Sequence, residues 1–196
     1  MTGLMAGAFT VRVSSLMGQE RAGLQTVAPD RLRYIAEPFT VRRGGRTAGR
    51  AIYDPAQLDA MPRAHGGAEW QCLTEALYFE ARGESVRGQY AVAEVILNRV
   101  DSQRYPNTVC GVVNQGTGQH HACQFTYTCD GRPERVTETA MHQRLGQIAH
   151  IMLNGAPRNL TQGATHYHTA AVRPNWARTY PRTARIGSHV FYRQQY

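Results

Sequence analysis

Lysine is missing altogether: all 22 basic residues of the 196-residue chain are arginine. Schiff-base formation and lysine general-base chemistry are therefore excluded. No apolar run approaches the roughly 20 residues of a membrane span. The four cysteines never fall as CxxC, which argues against a zinc ribbon or a thioredoxin-type site. HExxH does not occur either. The N-terminus carries an apolar patch from Leu4 to Val11 but lacks a basic start, so no signal peptide is read there. Acids run out early. Glu138 is the last of them, and seven arginines follow it with nothing to balance them.

What is present describes a globular protein. The chain is 42% hydrophobic and 18% charged, long enough for one domain with a real core. Its net charge of +8 favours a polyanionic partner: nucleic acid, an anionic membrane or an anionic cell wall. No helix-turn-helix, zinc-finger or RNP-type motif accompanies the charge, so nucleic acid is the weaker reading. Cys72, Cys110, Cys123 and Cys129 make an even count that suits two disulfides in an oxidising compartment. Cys123 and Cys129 bracket a short loop, but spacing alone fixes no connectivity.

Periodicity divides the chain. Residues 1–66 show weak patterning and loop-forming glycines, and read as an extended or partly disordered segment with a short strand near Phe39 to Val41. From Glu69 to Arg82 the pattern is helical, with Leu73, Ala76, Leu77 and Glu80 on one stripe and Gly83 as the stop. A second helix spans Val86 to Val100. Pro106 and Asn107 open a helical turn to Val113, and a polar loop runs from Asn114 to Arg132. Pro133 then starts a segment whose helix runs from Glu134 to Leu153. Ala164 to Thr169 reads as a strand. Thr183 to Ile186 and His189 to Arg193 flank Gly187-Ser188, a hairpin signal. Helices followed by a small antiparallel sheet make the fold class α+β.

Glu80 is the sharpest chemical feature. It is the one carboxylate of its helix on the apolar stripe, and burial raises a carboxyl pKa. A raised pKa keeps the proton available for a leaving oxygen. On pattern alone, a structural acid paired with Arg82 or Arg99 accounts for Glu80 as well. The histidines offer a rival. His166 and His168 point to one side of a strand, and with His189 or His121 they would make a zinc set for amide hydrolysis. Tyr167, Trp176, Tyr180 and Tyr192 suit stacking on pyranose rings, with core packing as the equal alternative.

The run EALYFEARGESVRGQYAVAEVILNRVDSQRYPNTVCGVV resembles the core signature of the SleB/CwlJ-type cell wall hydrolases, and GATHYH and ARTARIGSHVFYR resemble that family's closing strands. The resemblance covers about Trp70 to Arg193 and so assigns residues 67–196 to a catalytic domain. It implies a peptidoglycan-cleaving enzyme, a lysozyme-like helical core with a C-terminal sheet, a periplasmic or extracellular site of action, and no cofactor or metal. The family's catalytic Glu falls on Glu80. Glu84 is carried over as the second motif acid, counted with the substrate contacts but expected to tether the turn or the start of the second helix. Gln124 and Thr126 fall in the loop that lines the family's groove, and His166, Tyr167, His168 and Trp176 complete the substrate-contact set. Peptidoglycan is the implied partner, with no nucleic acid and no membrane span. An ordinary glycosidase wants two carboxylates about 5 Å or about 6.5–9.5 Å apart. A lytic transglycosylase works with one, because the muramoyl C6 hydroxyl is already in the substrate. A zinc-dependent amidase and a non-catalytic wall-binding module are the alternatives.

Overall fold

The stripe of Leu73, Ala76 and Leu77 lies on a helix that is buried almost all round, and the other helices are arranged about it. The computed structural model describes residues 53–118 and 123–195. In chain order these hold α1 (Pro55–Asp59), α2 (Ala68–Ala81), α3 (Val86–Val100), α4 (Val109–Val113), α5 (Thr139–Leu153), β1 (His166–Thr169), β2 (Arg182–Ile186) and β3 (His189–Tyr192). Two 3-10 turns, Thr126–Cys129 and Asn175–Arg178, interrupt the loops. The three strands form one antiparallel sheet in the order β1-β3-β2. A mostly helical core with a small C-terminal sheet is thus the architecture that the α+β reading described.

Local chemistry explains the element ends. Ser85 caps α3 by accepting from the Gly88 N–H at 3.2 Å, and Thr108 caps α4 through the Gly111 N–H at 3.0 Å. Trp70 packs α2 onto α5, its indole N–H donating to the Gly146 carbonyl at 2.8 Å. Any Cβ at Gly146 would stand 2.8 Å from that ring, so only glycine allows this approach. The disulfide Cys72–Cys110 ties α2 to α4, and Cys123–Cys129 closes the loop after α4.

Several expectations need correction. Within the segment assigned to residues 1–66, Pro55–Asp59 form a helix, α1, rather than extended chain. Asp54 caps α1 through the Ala56 N–H at 2.9 Å, Leu58 is buried, and Asp59 pairs with Arg144 of α5. A five-residue helix is too short to register as a period. The expected strand near Phe39 lies outside the described residues. The last helix begins at Thr139, not Glu134. The Tyr78 hydroxyl accepts the backbone N–H groups of Thr137 and Glu138 at 3.1 and 3.0 Å. That captures donors a helix end leaves free and holds the preceding chain out of the helix. Gly83 does not stop α2 by a left-handed turn, since it is not among the positive-φ glycines. The chain turns there by the Glu84 N–H donating to Ala81 O at 3.0 Å.

The sheet is hung on α3. Glu94, fully buried, accepts from the N–H groups of Leu160 and Thr161 at 3.0 and 2.9 Å and from the Thr161 hydroxyl. Asn98 donates to Ala164 O at 2.9 Å, and Arg99 Nε donates to Thr165 O at 2.7 Å. Three polar side chains on one helix therefore fix the strand entrance, and with it the position of Tyr167. Cross-strand register then sorts the side chains into two faces. Tyr167 pairs with Phe191, which pairs with Ala184; this face packs with Ala91 and Val95 of α3. His166 with Tyr192 and Arg182, and His168 with Val190 and Arg185, make up the other face.

Candidate active site

Glu80 lies in the last turn of α2, half-buried, with one hydrogen-bond donor among the described residues. The Tyr167 hydroxyl reaches Glu80 Oε2 at 3.0 Å from the inner face of β1. Burial is the largest influence on the Glu80 carboxyl and raises its pKa. The Tyr167 bond and the charge of Arg99 act in the opposite direction and leave a net upward shift. Tyr167 in turn has its own pKa raised, by burial first and by Glu80 second, so it stays a donor. The carboxyl is thus biased towards its protonated form while keeping a partner for its charged form, which is what a group that gives and retakes a proton requires.

Arg99 makes no salt bridge to Glu80 or Glu84. It is 3% exposed and committed to Thr165 O, and it stands 5.5 Å from the ring centroids of both Tyr105 and Phe125. Gln124 completes its shell, accepting from the two terminal guanidinium nitrogens at 3.2 and 3.3 Å when its amide oxygen faces them. Nor does Arg82 pair with Glu80; it bonds to Glu138 at 3.4 Å.

Glu84 is occupied by the hairpin. Its carboxylate accepts from the Ser188 hydroxyl and, at 3.3 Å, from the Ser188 N–H. His189 Nδ1 stands 3.5 Å away, without hydrogen-bond geometry, and burial pushes the His189 pKa down. The remaining carboxylates of the ordered part are mostly held as well. Glu69 accepts from the Val109 N–H at 2.5 Å, Asp101 pairs with Arg158, and Asp130 accepts from the Arg132 N–H at 2.8 Å. Glu75 differs: burial, and then the charge of Glu134, raises its pKa.

A cleft of about 270 Å³ opens beside this end of α2, lined in part by Phe79, Arg82, Tyr127 and Glu134. Phe79 and Tyr127 stack with centroids 4.6 Å apart. Tyr127 is 8% exposed and its hydroxyl has no partner among the described residues, while burial and the charges of Glu75, Glu80 and Glu134 push its pKa up. Sequence reasoning missed this tyrosine, because nothing in a polar loop marks which aromatic folds inward. Thr126, beside it, is exposed.

The structure separates the substrate-contact residues read from the sequence. Tyr167 and Glu80 meet directly, and Gln124 lies against Arg99, whose charge acts on Glu80. His166, His168 and Trp176 lie together, but on the sheet face away from Tyr167. This also takes apart the zinc set: His189 pairs with Thr169 on the inner face, whereas His166 and His168 point outward. His168 uses both ring nitrogens, at 2.8 Å to Thr169 O and 3.1 Å to the Tyr192 hydroxyl. His121 lies outside the described residues.

Residues 83–192 match the family described as Cell Wall Hydrolase (Hydrolase_2). The matched span opens just after Glu80 and takes in Arg99, Gln124 and the whole sheet. The chain is 31% identical over 188 residues to a spore cortex-lytic enzyme of Bacillus cereus, covering 93% of this chain and 68% of that relative. It is 32% identical over 146 residues to the spore cortex-lytic enzyme of Bacillus subtilis, covering 74% of this chain and 44% of that one. The solved catalytic domain of the germination-specific lytic transglycosylase SleB from Bacillus anthracis is 32% identical, with a TM-score of 0.47, and the match covers 68% of this chain and all of that one.

Proposed function

Because the chain belongs to the cell wall hydrolase family, we propose that it cuts the glycan strand of peptidoglycan as a lytic transglycosylase, with Glu80 as its single acid and base. The observation that carries this reading is the Glu80–Tyr167 pair: a half-buried carboxyl of raised pKa that accepts a hydrogen bond from a neutral phenol.

The protonated Glu80 gives its proton to the glycosidic oxygen as the bond from C1 to that oxygen breaks. The muramoyl C6 hydroxyl attacks C1 and loses its proton to the Glu80 carboxylate. The products are a strand with a 1,6-anhydromuramoyl end and a strand with a free hydroxyl, and the enzyme returns to its starting protonation state. Tethering the nucleophile to the substrate supplies much of the barrier reduction. Tyr167 steadies the carboxylate between the two transfers. The neighbouring motif acid is tied to the hairpin, which favours a one-carboxylate mechanism.

Two disulfides and a wall substrate set the site of action outside the reducing cytoplasm, and we take the periplasm as the compartment. No described helix is long and apolar enough to cross a membrane.

Mass spectrometry of the soluble products from purified sacculi tests the proposal, beside a Glu80→Gln control. Anhydromuramoyl ends are expected, with a loss of about 10²–10⁴-fold in the control. Reducing ends would replace the lyase by a hydrolase and turn attention to Glu75 and Glu134. Free stem peptides, or an undiminished Glu80→Gln enzyme, would defeat the assignment.

A further inference from the structure

The outer face of the sheet is the second chemically distinct surface of the described residues. Register places two rows of side chains on it: His166, Tyr192 and Arg182 in one, His168, Val190 and Arg185 in the other. The segment between β1 and β2 folds back over the first residues of these rows. Trp176 and Tyr180 come to 5.0 and 4.9 Å from the His166 ring, and Trp176 to 5.4 Å from Tyr192. Trp176 and Tyr180 stack with centroids 6.0 Å apart, and both remain partly exposed. The result is a tiled platform of rings rather than a closed core.

The charge beside it has one sign. Arg173, Arg178, Arg182, Arg185 and Arg193 are all exposed, and none makes an ion pair among the described residues. In the helical body three arginines, Arg82, Arg144 and Arg158, are each matched by an acid. No Asp or Glu follows Glu138 in the sequence, so the segment that builds the sheet has no acid of its own to neutralise.

Ring platforms stack on the apolar faces of sugars, and guanidinium forks bind carboxylates. We infer that this outer sheet face is a docking surface for a peptidoglycan strand that is not being cut: sugar rings lie on Trp176 and Tyr180, and stem-peptide carboxylates lie on Arg182 and Arg185. It is distinct from the cleavage site, because Tyr167, which bonds Glu80, projects from the opposite face of the same strand. Stacking and positive charge also suit single-stranded nucleic acid. Family membership and two disulfides favour the wall. The inference rests on the wall-cleaving proposal only for the identity of the partner. Its role is to hold the enzyme on an insoluble substrate between cuts.

Binding is separated from cleavage by using the full chain carrying Glu80→Gln. Co-sedimentation with purified sacculi is expected to weaken by about ten-fold on adding Arg182→Gln and Arg185→Gln, and to lose salt sensitivity. Trp176→Ala is expected to weaken binding at every salt concentration, with Trp176→Phe, which keeps a ring, recovering part of it. Matched thermal melts exclude misfolding, and the arginine pair serves if the tryptophan variant melts early. In the otherwise wild-type enzyme the arginine pair is expected to slow digestion of sacculi while short soluble glycan chains are cut at the normal rate. Unchanged co-sedimentation in both variants would overturn the inference. So would an equal loss on soluble chains, or tighter binding to single-stranded DNA or anionic vesicles than to sacculi. Failure of the cleavage chemistry leaves the co-sedimentation result standing.

Discussion

Tyr167 holds Glu80 through its charged form, and this fixes the sign of a pH experiment. A hydroxyl donating to a carboxylate stabilises the ionised state and lowers the pKa, against the upward push of burial. In Tyr167→Phe that stabilisation is gone and the Glu80 pKa rises further. The reaction opens with Glu80 protonated, so activity falls as pH climbs through that pKa. The alkaline limb of kcat/KM against pH for sacculus digestion should move to higher pH in Tyr167→Phe. A limb that stays put, or moves down, would remove Tyr167 from this role. At the same scale the sequence was only partly legible. The stripe through Leu73 and Leu77 brought Glu80 to a buried flank, and the two-residue alternation set His166 and His168 on a common side. It could not say which side of the strand faces the helices. That depended on Glu94, Asn98 and Arg99 gripping residues 160–165, a contact between segments more than 60 residues apart.

The hairpin is the element whose anchoring is most sharply defined. Gly187 sits at φ +60°, and a Cβ built there would stand 1.9 Å from Glu84 Oε2. Gly187→Ala should therefore cost about 2–4 kcal/mol, combining a left-handed alanine with displacement of the carboxylate. Glu84→Ala leaves the Ser188 groups to water and should cost less, about 1–3 kcal/mol. Denaturant unfolding of both variants checks the order; if Glu84→Ala proves the costlier, the turn is not held as described. Turn type was readable from Gly187-Ser188, but the carboxylate beneath it was not, since a turn signal is local and its tether comes from more than 100 residues earlier. The start of α5 escaped for a similar reason, because its limit is set by the Tyr78 hydroxyl rather than by Pro133.

For the molecule as a whole, two properties follow from its covalent and acid–base make-up. Loop-closure entropy makes the Cys72–Cys110 link, which spans 38 residues, worth about 4 kcal/mol, and the six-residue Cys123–Cys129 link about 2 kcal/mol. Replacing Cys72 and Cys110 by serine should lower Tm more than replacing Cys123 and Cys129, and equal losses would contradict that ranking. Burial depresses the pKa values of His142, His150, His166 and His189, in the case of His166 to about 4. A histidine held neutral in the fold takes up its proton more readily in the unfolded chain. The stability these histidines contribute is thus full above pH 6.5 and is lost as pH falls towards 4. Calorimetry across that interval should show Tm dropping on acidification, with a smaller drop in His166→Phe. A flat Tm between those limits would mean that the rings are solvated in the folded state.

The contact between Glu84 and Gly187 also constrains how such a chain can change over time. While the carboxylate fills the space where a Cβ would lie, any other residue at the turn has to displace it. Once the acid is shortened or lost, the space opens, and a residue at ease in the left-handed region, such as asparagine, becomes tolerable there. The two positions therefore have an order of replacement, acid first and glycine second, and a lineage attempting the reverse passes through a protein whose hairpin has come loose from its helix.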